Sequence, residues 1–174
     1  ASGAFALSRP AAGSDAGAMR TKAGKQGNTW VLNGAKQWIT SGAYAGVIVV
    51  WARTGAEGSK GLSCFIVEGK TPGLLIGHPE DKMGLRGSNT VSLTFENCEI
   101  PLDALLGKEG DGFKLAMTAL DGGRIGISAQ ACGVARAAIE AAVADAKDRT
   151  ALAQPIPESK GPRFLPAAAP SPPR

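Results

Sequence analysis

From residue 29 to about residue 100, short apolar and β-branched runs alternate with Gly, Asn and Pro punctuation, which predicts strands. Within residues 29–40 the pair Asn33-Gly34 offers the positive-φ residues of a tight turn, so this stretch is expected to fold as a hairpin. Residues 47–53 and 62–67 are continuous apolar runs joined by the turn-rich TGAEGSKG, and both predict buried strands. Further on, Val91, Leu93 and Phe95 alternate with Thr90, Ser92 and Thr94, the period of a strand with one wet face. Several short strands at this spacing predict an antiparallel β-barrel or sandwich. After Pro101 the period lengthens, and residues 113–120 and 124–149 read as two helices. Ile125, Cys132 and Ile139 recur at sevens, with Ala135, Ala138, Ala142 and Val143 beside them. From residue 155 the pattern ends in a proline-rich tail holding seven of the chain's 11 prolines, which predicts no core. The fold class expected is α+β.

Composition narrows the possibilities. A chain of 174 residues supports one main domain. The net charge of +4, from 19 Lys and Arg against 15 Asp and Glu, is scattered and lacks interleaved aromatics, which argues against nucleic acid. Cys64, Cys98 and Cys132 stand in no zinc spacing, and their odd number argues against a closed disulfide framework, so a reducing compartment fits. Their equal separation reflects no repeat, because the contexts SCF, NCE and ACG share nothing else. No uninterrupted apolar run approaches the length of a membrane span, and the first residues show neither a basic leader nor a signal core. The chain opens on an apolar motif without an initiator Met, so a fragment is expected.

The candidate chemistry is concentrated in a few places. ALSRPAAGSDAG, residues 6–17, combines small residues with the hydroxyls of Ser8 and Ser14, and Gly13 can adopt a positive φ. Such a loop can present backbone N–H groups to an anion, and it can equally be an ordinary turn. Trp38, Ile39 and Thr40 at a strand end could border a flat heterocycle, although a core Trp has the same appearance in sequence. His78 has no second ligand at metal spacing, and Glu80, Asp81 and Asp111 read as solvated loop acids. No nucleophile elbow, dinucleotide fingerprint or phosphate-loop lysine motif is present.

Taken together, the blocks FALSRPAAGSDAG, NGAKQWITSG, GLSCFIVEG, KMGLRGSNT, GKEGDGFKLAM and LDGGRIGISAQACGVA resemble the acyl-CoA dehydrogenase family, over roughly residues 5–149. The resemblance implies a middle β domain over residues 1–103, the start of a helical C-terminal domain over 104–154, and a proline-rich tail over 155–174. It also implies FAD as cofactor and oxidation of an acyl-CoA to its trans-2-enoyl form, with hydride passing to the flavin. By match to the family's motif, Phe5, Leu7, Ser8, Gly13, Ser14, Trp38, Ile39 and Thr40 would contact FAD, and Arg149 would reach the FAD of a neighbouring subunit. Ser14, Asp121 and Arg124 would contact the acyl-CoA. The catalytic Glu of the family would lie beyond this chain's C-terminus, so no catalytic base is expected within it and the chain alone should not turn over. A homo-oligomer, dimer or tetramer, and an electron-transfer flavoprotein as acceptor are implied, in a bacterial cytoplasm or a mitochondrial matrix. LDGGRIGI leans toward short-chain or branched-chain relatives. Three departures stand out: Arg9 where the family has an acid, RTALA at 149–153 where it has Arg-x-x-Phe-Gly, and Lys160 in place of a flavin-contacting Gln. They keep open a non-catalytic remnant that binds flavin or oligomerises, and an acyl-CoA oxidase is a further alternative.

Overall fold

The computed structural model describes residues 2–8, 10, 17, 19–151 and 154–155. The chain divides into two units, Ala1–Thr118 and Ala119–Arg174. The first is an eight-stranded sheet. Its strands are β1 (Ser2–Ala6), β2 (Lys22–Gln26), β3 (Thr29–Thr40), β4 (Ala45–Arg53), β5 (Leu62–Glu68), β6 (Leu74–Pro79), β7 (Thr90–Pro101) and β8 (Leu105–Leu106). They run in the order β6-β7-β3-β2-β4-β5-β8, with β1 added alongside β4.

The sheet is open and mixed, so the expected β architecture is present but not wholly antiparallel. β1 pairs with β4 in parallel, from Gly3 against Val47 to Ala6 against Val50, and Lys22 of β2 pairs in parallel with Arg53. A parallel pair needs a crossover. Here residues 7–44, with the β2–β3 hairpin inside them, make the return.

The period-2 pattern translates directly into burial. Val91 and Leu93 are fully buried and Phe95 nearly so, joining Leu32, Ile48, Val50, Phe65 and Val67 in one core. Trp30 closes it against Phe65, ring centroids 5.4 Å apart. The runs in β4 and β5 are less uniformly buried than expected, because Val47 and Ile66 lie on the opposite face of the sheet and stay exposed.

Asn33-Gly34 is not a turn. β3 runs straight through it and pairs with β7 from Thr29 against Pro101 to Thr40 against Thr90. The register shift between Leu32 and Gly34 is a β-bulge whose extra residue lies on β7, where Asn97 stands at φ 45°, while Gly34, at φ 138°, sits on the facing strand. Asn33 clasps Asn97 on β7: its Oδ1 accepts from the Asn97 backbone N–H at 2.9 Å and its Nδ2 donates to Asn97 Oδ1 at 3.3 Å. The tight hairpin turn is one element earlier, at Gly27-Asn28, where Gln26 pairs with Thr29 and Gly27 has φ 58°.

Residues 112–148 form one helix, α1 (Gly112–Asp148), where two were expected. Gly122-Gly123 costs helix propensity but neither removes a hydrogen bond nor clashes as proline does, and the surrounding Ala, Leu and Ile carry the helix through. α1 begins in the first unit, where the Trp51 indole donates to the Gly112 carbonyl at 2.8 Å. Gly112 packs so closely on β5 that a Cβ there would lie 2.7 Å from Leu62 and Ser63 backbone atoms. By length and composition α1 is apolar enough to cross a membrane, a test that core helices of bundles also pass. Two short strands, β9 (Thr150–Ala151) and β10 (Gln154–Pro155), pair after it. The proline-rich segment from residue 156 onward lies outside the described residues.

Candidate functional site

One end of the sheet brings together the exit of β1, the end of β3 and the segments that leave β6 and enter β7. The Gln37 backbone N–H donates to the Ser8 carbonyl at 3.2 Å, tying residues 7–8 to β3 just before Trp38. Its side chain donates to Glu80 Oε1 at 2.5 Å, and the Glu80 N–H donates to the Thr90 carbonyl at 2.9 Å. Asn89 closes the other flank, its carbonyl accepting from the Ser41 N–H at 2.8 Å and its side-chain oxygen from the Ala43 N–H at 3.3 Å.

At this end the backbone of β3 is strained. A second register shift falls between Lys36 and Ile39, and Trp38 and Ser41 adopt φ 61° and 62°. A tryptophan in left-handed conformation is costly, and such strain persists only where the surrounding structure enforces it. The bulge turns the Trp38 indole outward, 59% exposed, while Ile39 is buried at 1% and anchors the strand. Thr40 is exposed beside it. Of the other sequence candidates, Leu7 is buried and Ser8 half-buried, whereas Phe5 lies partly exposed on the face opposite the core, its ring 4.4 Å from Trp51. Gly13, Ser14 and Arg9 lie outside the described residues.

Sequence reasoning passed over the residues that hold this end in place. Lys36 is fully buried and donates from Nζ to the carbonyls of Trp51 at 2.6 Å and Leu7 at 3.3 Å. A visible signal existed: Lys36 has the inward parity of Trp30 and Leu32, an unusual place for a cation. Lys82 likewise binds the carbonyls of Leu85 and Ser88 and the Thr90 hydroxyl, folding residues 82–90 into a compact loop. His78 is exposed on β6, and no cluster of His, Cys, Asp or Glu able to hold a metal occurs among the described residues.

In the second unit, Asp121 and Arg124 face solvent one helical turn apart, their charged atoms 3.7 Å from each other. Arg149 follows directly after α1 and pairs with Asp145 at 3.3 Å. The helix thus presents a cation that only a weak surface pair engages.

A sheet end with an outward-turned indole, an exposed threonine and a half-buried serine is suited to holding a flat heteroaromatic group by stacking and edge hydrogen bonds. Comparison with known proteins makes the class specific. Residues 4–98 match the acyl-CoA dehydrogenase middle domain and residues 110–165 the acyl-CoA dehydrogenase C-terminal domain, so the chain belongs to the acyl-CoA dehydrogenase family. It is 52% identical over 155 residues to the human mitochondrial short-chain specific acyl-CoA dehydrogenase, covering 88% of this chain and 38% of that protein. Among solved structures it resembles the butyryl-CoA dehydrogenase of Megasphaera elsdenii, with TM-score 0.89 and 44% identity, covering 95% of this chain and 44% of that one. A chain from the structure described as the electron transferring flavoprotein of Acidaminococcus fermentans also matches, with TM-score 0.90 and 48% identity, over 95% and 44% of the two chains. The chain therefore spans less than half the length of these relatives.

Proposed function

We propose that this chain is the flavin-facing part of an FAD-dependent acyl-CoA dehydrogenase that oxidises a short-chain acyl-CoA thioester to its trans-2-enoyl form. The observation that carries the reading is the bulge at the end of β3, which holds Trp38 exposed in a strained conformation between buried Ile39 and the tied segment at Ser8. The residues present fit an isoalloxazine ring: an accessible indole, the Thr40 and Ser8 hydroxyls as edge donors, and a core-anchored strand that keeps them in place. Bound there, FAD supplies the acceptor for the hydride from the substrate's β-carbon.

The chain's own residues bind and orient. Trp38 and Thr40 border the ring, Ile39 fixes the strand, and Phe5, Leu7, Ser8, Gly13 and Ser14 line the cofactor. Asp121 and Arg124 address the CoA portion, Arg124 offering its guanidinium to anionic or polar groups, and Ser14 meets the acyl-CoA. Arg149 serves the FAD of a neighbouring subunit in a homo-oligomer. The base that removes the α-proton belongs to the remainder of the whole protein, and electrons leave to an electron-transferring flavoprotein, a partner supported by the match to the Acidaminococcus fermentans structure. In domain terms, residues 1–103 act as the middle β domain and 104–154 open the C-terminal helical domain. The human relative's mitochondrial name supports a matrix enzyme, and a bacterial cytoplasm is the equivalent compartment.

The test is purification of the whole protein containing this chain, followed by flavin absorbance and assay with a four-carbon acyl-CoA. Bound FAD that bleaches on addition of substrate, with formation of the 2-enoyl thioester, is the expected result. A colourless protein, or bound flavin that no acyl-CoA reduces, overturns the reading.

A further inference from the structure

The Leu7–Ser8 stretch and the region around Gly17 and Met19 lie outside the strands, yet both are gripped by cations from the interior of the sheet. From β3, the fully buried Lys36 donates to the Leu7 carbonyl at 3.3 Å and the Trp51 carbonyl at 2.6 Å, and its Nζ lies 2.9 Å from Met19 Sδ. From β4, half-buried Arg53 donates through Nε to the Met19 carbonyl at 3.0 Å and through Nη2 to the Gly17 carbonyl at 2.6 Å. Its Nη1 binds the carbonyls of Ala56 and Gly58, and its backbone N–H donates to the Thr21 carbonyl at 2.8 Å.

Burying an ammonium is costly unless its hydrogen bonds are made with good geometry. Bonds from a cation to a carbonyl are shorter and stronger than neutral ones. Lys36 and Arg53 therefore fix backbone that the strand ladder does not reach. Because Lys36 immediately precedes Gln37, whose N–H holds the Ser8 carbonyl, the same short piece of β3 fixes Leu7 by its side chain and Ser8 by its backbone.

We infer that Lys36 and Arg53 are positioning residues which fix the backbone at Leu7–Ser8 on one side and at Gly17 and Met19 on the other, and so preorganise the Leu7–Ser8 part of the cofactor site. The inference rests on the flavoprotein reading for its ligand, but the clamp itself is a property of the chain without FAD. The gain is preorganisation: flanks already ordered lose less conformational freedom when the cofactor binds.

Two measurements test it. Hydrogen exchange on the 174-residue chain without FAD compares the parent with Lys36→Met, Lys36→Arg and Arg53→Met. Exchange of the Gln37 amide should accelerate about tenfold or more in Lys36→Met, and that of the residue-53 amide, which donates to the Thr21 carbonyl, in Arg53→Met, with β7 amides unchanged, and Lys36→Arg should recover part of the protection. In the whole protein the same Met variants should weaken FAD binding about tenfold while far-UV circular dichroism stays at the parent's. If Lys36→Met does not fold, Arg53→Met decides both readouts. Exchange within about twofold of the parent overturns the clamp. Faster exchange with unchanged FAD affinity overturns its link to the cofactor. A parent protein that takes up no FAD overturns the flavoprotein reading and that link together, while the exchange data still judge the clamp.

Discussion

Cys64 and Cys132 carry the same thiol in opposite surroundings. Cys64 is fully buried on β5 opposite Trp51 of the neighbouring strand, and burial pushes its thiol from 9.0 up to about 12, while a Phe65 backbone hydrogen bond and the nearby Lys36 charge pull it back only in part. Burial raises Cys98 as well. Cys132 is exposed on α1. A buried neutral thiol resists alkylation, because the reactive species is the thiolate. One thiol should therefore titrate rapidly with a disulfide reagent in the native chain, and the other two only after denaturant. The pH dependence has a definite sign. With a folded-state value above the unfolded one, the folded chain keeps a proton that the unfolded chain releases. The contribution of Cys64 to stability is thus complete below 9.0 and is lost as pH rises toward 12. Urea midpoints measured at about pH 8 and about pH 10 should fall more for the parent than for Cys64→Ala. Equal falls would show that the thiol does not stay neutral in the folded chain.

At the level of elements, the glycines separate into those that geometry demands and those that nothing within the chain requires. A Cβ on Gly34 would lie 2.7 Å from the Thr21 Cα, and the residue stands at φ 138°. Gly34→Ala should cost roughly 2–3 kcal/mol, because it forces β3 away from the Thr21 backbone and strains a positive φ. Gly122, in the middle of α1, meets nothing within 4 Å, so Gly122→Ala should be neutral or stabilise by about 0.5–1 kcal/mol. Thermal unfolding of both variants checks the ordering, and a Gly34→Ala as stable as the parent would remove the close-approach argument. The same glycines show what could be read from sequence and what could not. Val91, Leu93 and Phe95 were legible because burial on one strand face is a local pattern. Asn33-Gly34 was misread because a glycine with positive φ also serves a continuous strand where another backbone approaches closely, here Thr21, and only the long pairing of β3 with β7 decides between them. The parallel partnership of β1 with β4 left no local trace, since it joins residues more than forty positions apart in sequence. The candidate site was legible at Trp38, Ile39 and Thr40 through family motifs. The inward parity of Lys36 marked it as unusual, but what Lys36 and Arg53 bind was not legible, because their partners are backbone carbonyls, which any sequence supplies.

For the molecule as a whole, the two units handle apolar surface differently. The sheet unit buries a continuous core, whereas along α1 Ile125, Ile127 and Val134 stand 75%, 62% and 64% exposed. A helix with so much uncovered apolar and alanine surface gains by burying it, against further helices of the whole protein in the reading proposed above or, failing those, against another copy. From Asp121 onward the described residues of α1 are exposed but for a few half-buried positions, whereas most helical stability derives from tertiary packing. The 174-residue chain produced alone should therefore self-associate through α1 and bind a hydrophobic dye. Ile125→Lys combined with Ile127→Lys should shift sedimentation toward the monomer and lower dye binding without moving the unfolding transition of the sheet. Arg136 and Glu140, paired at 2.8 Å on the exposed helix, are left unchanged so that helix propensity and its one short ion pair stay constant in the comparison. A parent chain that stays monomeric and dye-free across its soluble concentration range would mean that this face is covered by the chain itself.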